Sequence, residues 1–283
     1  MKLASYLVGG KPAYGTVAPD GKLTTVSGRL GERYPTLRDA IAADALKELA
    51  ALAASLPSDA HIDRVTMLPV IWNPEKIPCI GLNYADHRDE AVRPKMDYPM
   101  IFPRFTSSQV GHGQPIVKPK ISDKLDYEGE LAVVIGRGGR NIPKERALDH
   151  VVGYACYNDG SIRDFNLHTT QILPGKNFPK TGAFGPYLVT RDEAPEPDAM
   201  TLETRVNGEV LQHTPVDRML FKIPYLIHYI STFTPLTAGD VISTGTCAGV
   251  ALYRKPQNWM KQGDVVEVEI TGLGILRNPI VNE

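Results

Sequence analysis

Only three cysteines occur in the chain, Cys79, Cys156 and Cys247, far apart and in no Cys-x-x-Cys pair. That spacing argues against a disulfide framework and a zinc site, and for reduced thiols in a cytoplasmic protein. An excess of one charge is missing as well: 31 basic residues face 32 acidic ones, a formal net charge of -1. No general field draws the protein to nucleic acid or to an anionic membrane, so neither is expected as a partner. An anionic substrate has to be caught by local positive charge. Long apolar runs are absent. The one after Lys2 breaks at Gly9-Gly10-Lys11-Pro12, too short for a membrane span and without a signal-peptide cleavage pattern. Solenoid repeats, heptads and low-complexity tracts are lacking too. What is there is a chain of 283 residues with 42% hydrophobic content, enough for one large domain or a large one with a small partner.

The stretch Leu125-Asp126-Tyr127-Glu128-Gly129-Glu130-Leu131-Ala132-Val133-Val134-Ile135-Gly136 carries the most chemistry. From Leu131 it is apolar and β-branched and closes on Gly136, which predicts a buried strand. Alternate residues of a strand share a face, so Asp126, Glu128 and Glu130 are expected together on one side. Three carboxylates running into a buried segment repel one another and resist desolvation. A divalent cation relieves both problems, and all-oxygen ligands favour Mg²⁺, Mn²⁺ or Ca²⁺ over zinc. A wet acidic sheet edge is the alternative. Glu267-Val268-Glu269 illustrates it, alternating with Val266, Val268 and Ile270 as a half-buried strand should.

Residues Leu3 to Val26 read as short strands with turns at Gly9-Gly10 and Asp20-Gly21. A helix is expected next, opened by a Thr36/Asp39 capping box, striped with Leu37, Ile41, Leu49, Leu52 and Leu56, and ended by Pro57-Ser58-Asp59. Residues 1–70 are thus expected to form a small α+β module ahead of a main domain over 71–283. The remainder predicts short strands near 79–81, 116–117, 151–157, 187–190, 202–206, 241–244 and 265–270, with an Asn207-Gly208 hairpin turn. Short helices are expected only over 143–150 and 225–232. The fold class is α+β, mostly β, with a rolled or barrel-like core.

Further candidates flank the acidic stretch. His87 and Glu90 are three apart, so on a helical turn they share a face, and a carboxylate beside a histidine suits a general base. Asp159 follows an apolar strand, where a loop carboxylate could complete a metal site or simply make a turn. Lys176, in Gly175-Lys176-Asn177-Phe178, could hold a substrate carboxylate or donate to an enolate. The small residues of Ser243-Thr244-Gly245-Thr246 permit close backbone approach to a ligand, or a plain tight turn.

Taken in order, these pieces resemble the fumarylacetoacetate hydrolase family. The resembling segments are Gly-x-Asn-Tyr-x-x-His-x-x-Glu at 81–90, Leu-Asp-Tyr-Glu-x-Glu-Leu-Ala-Val-Val-Ile-Gly at 125–136, Asn-Asp-x-Ser-x-Arg-Asp at 158–164, Gly-Lys-x-Phe at 175–178 and Gly-Asp-Val-Ile-x-Thr-Gly-Thr at 239–246. The match runs from about Ile71 to the end. It implies a β-roll-like catalytic domain, commonly dimeric, holding Mg²⁺ or Mn²⁺. The implied ligands are Glu128, Glu130 and Asp159, and the implied dyad is His87 and Glu90. Lys176 is implied beside the chemistry and Thr246 as a substrate contact, while Asp126 becomes a neighbour. Arg104, Arg163 and Lys180 are further candidates for substrate binding. The chain departs from the family at Cys247, where proline is usual, at Gly160 and Ile162, and at Pro179-Lys180. These departures are expected to border the pocket.

The resemblance implies a divalent-metal-dependent hydrolase of a carbon–carbon bond in a small anionic 1,3-diketo acid such as an acylpyruvate. In that role His87, oriented by Glu90, activates water. The alternatives are a decarboxylase or isomerase of a 2-oxo diacid, and a non-catalytic metal-binding β-roll. The intact dyad speaks against the last, since binding alone needs no base.

Overall fold

A computed structural model describes all residues from Met1 to Glu283. The strand at its centre is Gly129–Ile135, buried along its whole length. Its side chains alternate as a strand requires, but both faces find a core. Leu131, Val133 and Ile135 join a cluster with Leu202, Val268 and Leu276, while Ala132 and Val134 pack with Leu37, Ile41 and Leu49 from the N-terminal helices. That is why the sequence here is continuously apolar instead of alternating. Leu131, Val133, Val134 and Ile135 each contribute about 1.5–3 kcal/mol on full burial.

Around this strand lies a twelve-stranded sheet. Gly129–Ile135 pairs antiparallel with Val151–Asn158 on one side and Val241–Ser243 on the other, and the latter pairs parallel with Ile77–Gly81. Beyond Val151–Asn158 comes Gly182–Thr190, and beyond that Lys2–Val8, Lys11–Val17 and Lys22–Thr25. The strands of the expected 1–70 module thus extend the main sheet through the pairing of Lys2 with Val189 and Leu3 with Leu188. A five-stranded sheet, Glu209–Pro215, Thr201–Val206, Val265–Ile270, Gly274–Asn282 and Ile116–Lys118, covers the other face. The architecture is α+β and mostly β. Both sheets end in free edges, so the roll does not close into a ring.

Several local expectations meet their elements. The Thr36/Asp39 capping box is formed, and Asn207 and Gly208 take positive φ at the hairpin turn. Glu267 and Glu269 lie on the half-buried face of Val265–Ile270 and bind Arg205. The segment after Pro143 winds as a 3₁₀ turn over Lys144–His150, and Pro224 stands at the start of the helix Ile223–Phe233. The long N-terminal helix does not form as one piece. It divides into Leu37–Ala42 and Leu46–Ala54, because Asp44 adopts φ 54° between them. Across the break, Leu37, Ile41 and Leu49 still pack in one buried cluster. No helix is long and apolar enough to cross a membrane.

Candidate metal centre and active site

Antiparallel pairing brings the acidic residues together. Gly129 stands opposite Asn158 and Glu130 opposite Tyr157, and one step further Asp159 donates its N–H to the Glu128 carbonyl at 2.9 Å. Directly opposed residues share a face, as do residues two apart on one strand. Glu128, Glu130 and Asp159 therefore converge, buried, with one carboxylate oxygen from each within 4.8 Å of the others.

Asp126 does not share that strand. The expected continuous run from Leu125 is interrupted: Leu125–Asp126 pairs separately with Ser161–Ile162. Side-chain amides replace the ladder at the break, with Glu128 N–H donating to Asn158 Oδ1 at 3.0 Å and Gly129 N–H to Gln212 Oε1 at 2.9 Å. Asp126 turns instead to the 250s loop, accepting from the N–H groups of Ala251 and Leu252 at 2.8 and 3.1 Å.

Cations crowd two of the three converging carboxylates. Arg163 bridges Asp126 and Glu128, with Nε and an Nη 2.7 and 2.5 Å from their oxygens. Lys176 Nζ lies 2.5 Å from Glu128 and 2.6 Å from Asp159. Arg104 holds the other Asp159 oxygen at 2.5 Å and also donates to the Gly160 carbonyl and Thr181 Oγ1. Burial opposes the charge of Glu128, but Arg163 and Lys176 outweigh it and hold the carboxyl low. Lys176 stays protonated: burial pulls it down, while Asp159 and Glu128 raise it further. Glu130 differs. It touches no cation and accepts only from Ser243 Oγ at 2.5 Å and Gly245 N–H at 2.8 Å. Burial, then the charges of Asp159 and Glu128, push its carboxyl well above the ordinary range. An all-oxygen set with one uncompensated carboxylate is suited to a hard divalent cation, so the residues present fit such an ion.

The His87–Glu90 pair is formed on the short helix Ala85–Glu90. Nδ1 of His87 lies 2.7 Å from Glu90 Oε1, and Glu90 Oε2 accepts from Gly249 N–H at 3.2 Å. With Nδ1–H donated to Glu90, Nε2 keeps its lone pair. The helix closes in a Schellman turn: the N–H groups of Val92 and Arg93 reach the carbonyls of Asp89 and Arg88, with Val92 at φ 51°. A β-branched residue there costs roughly 1–2 kcal/mol. Before the helix, Asn83 fixes the loop, donating to the Thr244 carbonyl at 2.7 Å and accepting from Phe221 N–H at 2.8 Å. Gly245, at φ 101°, has no room for a Cβ, which would lie 2.7 Å from that of Asn83.

A cavity of about 540 Å³ joins these parts. Its floor is Glu128, Glu130, Asp159, Arg163 and Lys176, with His87 and Thr246 in the wall, and its mouth carries Met96, Met100, Ile172 and Leu252. Thr246 Oγ donates to the Gly129 carbonyl at 2.9 Å and accepts from Gln212. Two expectations need correction. Arg104 lies behind Asp159, its side chain fully buried, and Lys180 is exposed away from the cavity; neither lines it. Arg93, Asn166 and Tyr253 line it unforeseen. Asn166 stands one helical step beyond Arg163, a spacing that signals a shared face; Arg93 and Tyr253 carry no local signal.

A family model described as fumarylacetoacetate (FAA) hydrolase C-terminal matches residues 76–281. The chain belongs to the fumarylacetoacetate hydrolase family. It is 44% identical over 233 residues to the mitochondrial oxaloacetate tautomerase of Xenopus laevis, covering 81% of this chain and 73% of that one. The solved fumarylacetoacetate hydrolase of psychrophilic Exiguobacterium antarcticum is 32% identical, with TM-score 0.82 over 100% of both chains. The 5-carboxymethyl-2-hydroxymuconate delta-isomerase of Mycobacterium smegmatis is 28% identical, with TM-score 0.78 over 100% of this chain and 99% of that one. These relatives of the fumarylacetoacetate hydrolase family are enzymes of different reaction types.

The departures from the family pattern lie outside the cavity. None of Gly160, Ile162, Pro179, Lys180 or Cys247 lines it. Gly160 is required by its neighbours, since a Cβ would lie 2.0 Å from the Thr181 carbonyl oxygen. Arg104 matters for stability: Arg104→Met leaves Asp159 with one fewer counter-charge in a buried site. A loss of about 3–5 kcal/mol in unfolding free energy is expected by denaturant titration, because a buried pair broken on one side strands the other charge. Unchanged stability would show that Lys176 alone suffices for Asp159.

Proposed function

We propose that the protein is a divalent-metal-dependent enzyme of small 2-oxo acids that acts through the enol, with keto–enol tautomerisation of an oxaloacetate-type diacid as its main reaction. The observation that carries this reading is buried His87, hydrogen-bonded to Glu90 and lining the same cavity as the Glu128, Glu130 and Asp159 carboxylates. Held by those three, Mg²⁺ or Mn²⁺ would supply Lewis-acid stabilisation of negative charge on the oxo acid oxygens. His87 Nε2 takes the proton from the carbon beside the oxo group and returns it to oxygen, so nothing is gained or lost by the substrate. Glu90 stabilises the imidazolium that forms in between. Lys176, kept charged by its carboxylate neighbours, acts as a fixed positive charge and hydrogen-bond donor and not as a base.

The sequence-based expectation ranked hydrolysis first. The likeness to an oxaloacetate tautomerase favours the reverse order, because one base and no water suffice for it. Hydrolysis of an acylpyruvate-like 1,3-diketo acid is kept as the second reading for one reason: the Met96, Met100, Ile172 and Leu252 mouth suits an acyl chain. Both reactions are distinguished on one panel of oxaloacetate and short acylpyruvates. The enol absorbance of oxaloacetate should decay faster with the Mn²⁺-loaded protein, without carbon dioxide release. Cleavage of an acylpyruvate to two acids at higher kcat/KM than tautomerisation would overturn the order.

A further inference from the structure

Four cationic or basic side chains line the cavity: His87, Arg93, Arg163 and Lys176. Three of them have carboxylate partners within the site, at Glu90 for His87, at Asp126 and Glu128 for Arg163, and at Glu128 and Asp159 for Lys176. Arg93 has none. Its guanidinium makes neither an ion pair nor a hydrogen bond, although every arginine is fitted for bidentate capture of a carboxylate. The Schellman turn at Val92 sets it on the cavity directly after the dyad helix.

Tyr253 lies on the same side. Its ring meets His87 edge-on, with centroids 6.2 Å apart, and its hydroxyl is likewise without a hydrogen-bond partner. Arg93 is close enough for its charge to act on that hydroxyl, alongside Arg163. A free guanidinium and a free phenol thus line the same cavity as the carboxylates Glu128, Glu130 and Asp159. We propose that Arg93 and Tyr253 form a subsite for the distal carboxylate of the substrate, so that the site selects 2-oxo diacids over 2-oxo monoacids. The inference rests on the reading above, in that the oxo acid end is held at the carboxylate floor. The distal end is held by a charge-assisted hydrogen bond, which is the stronger kind.

The test is calorimetric titration of the Mn²⁺-loaded protein with three probes. 2-Oxoglutarate and 2-oxopentanoate differ only in carrying a carboxylate or a methyl group at the distal end, and oxalate has no distal end. The wild type should bind 2-oxoglutarate at least about tenfold more tightly than 2-oxopentanoate, the range of a hydrogen bond to a charged group. Arg93→Gln should abolish that preference, Arg93→Lys should keep part of it, and Tyr253→Phe should reduce it. Affinity for oxalate and for Mn²⁺ alone should stay unchanged in all three. A wild type indifferent to the distal carboxylate, or an Arg93→Gln variant that keeps the preference, overturns the subsite. So does an equal loss of oxalate, which would put Arg93 at the chelating end. If oxaloacetate is not a substrate but the diacid preference and its loss are seen, the tautomerase reading fails and the subsite stands.

Discussion

His87→Ala is expected to slow enol–keto interconversion of oxaloacetate by roughly 10²–10⁴-fold, the usual cost of removing a general base. Mn²⁺ affinity should be unchanged. The reason is spatial separation of roles: His87 binds Glu90 and no member of the carboxylate floor, while the floor has its own counter-ions. Glu90→Gln should cost less, because an amide oxygen still accepts from Nδ1–H but no longer stabilises the imidazolium. His87 is buried, so circular dichroism must accompany the rates. Wild-type turnover in His87→Ala would reject the base assignment. Loss of Mn²⁺ in both variants would mean that the pair supports the metal and not the proton transfer.

Glu130→Ala is expected to abolish Mn²⁺ binding in calorimetry, and with it all activity. Among the three converging carboxylates, Glu130 alone lacks a cationic partner, so its charge is the one left for an ion to neutralise. Removing it leaves Glu128 and Asp159 already bridged by Lys176, a pair with little remaining pull on a second cation. Because alanine also strands Ser243 Oγ and Gly245 N–H, Glu130→Gln serves as the second variant, retaining an acceptor without the charge. Glu267→Ala is the control, since Glu267 lies on the other sheet against Arg205. Asp126→Ala is a poor control, because it would leave the buried Arg163 paired with Glu128 alone. Retained Mn²⁺ affinity in Glu130→Gln would remove the proposed site.

Legibility in the sequence followed the range of the interactions. Alternation along a strand made the shared face of Glu128 and Glu130 readable but wrongly added Asp126, while Asp159 joined them only through the family resemblance, since its approach depends on pairing with the strand Val151–Asn158. The dyad was readable because i,i+3 spacing is local. The interruption at Tyr127–Glu128 was not, since the amides of Asn158 and Gln212 that replace the ladder come from 30 and 83 residues away. The same holds for Arg104: its attachment to Asp159 spans 55 residues, so as a sequence position it looked free for substrate. The break at Asp44 escaped notice because the apolar stripe runs across it.

The pairing of charges around the floor has a consequence for the uptake of an ion. Four buried carboxylates, Asp126, Glu128, Glu130 and Asp159, stand against three buried cations, Arg104, Arg163 and Lys176. Burial and the charges of Asp159 and Glu128 favour the protonated form of Glu130, which leaves the remaining three carboxylates balanced by the three cations. A divalent cation held there would have to displace that proton, so its uptake should weaken as the pH falls.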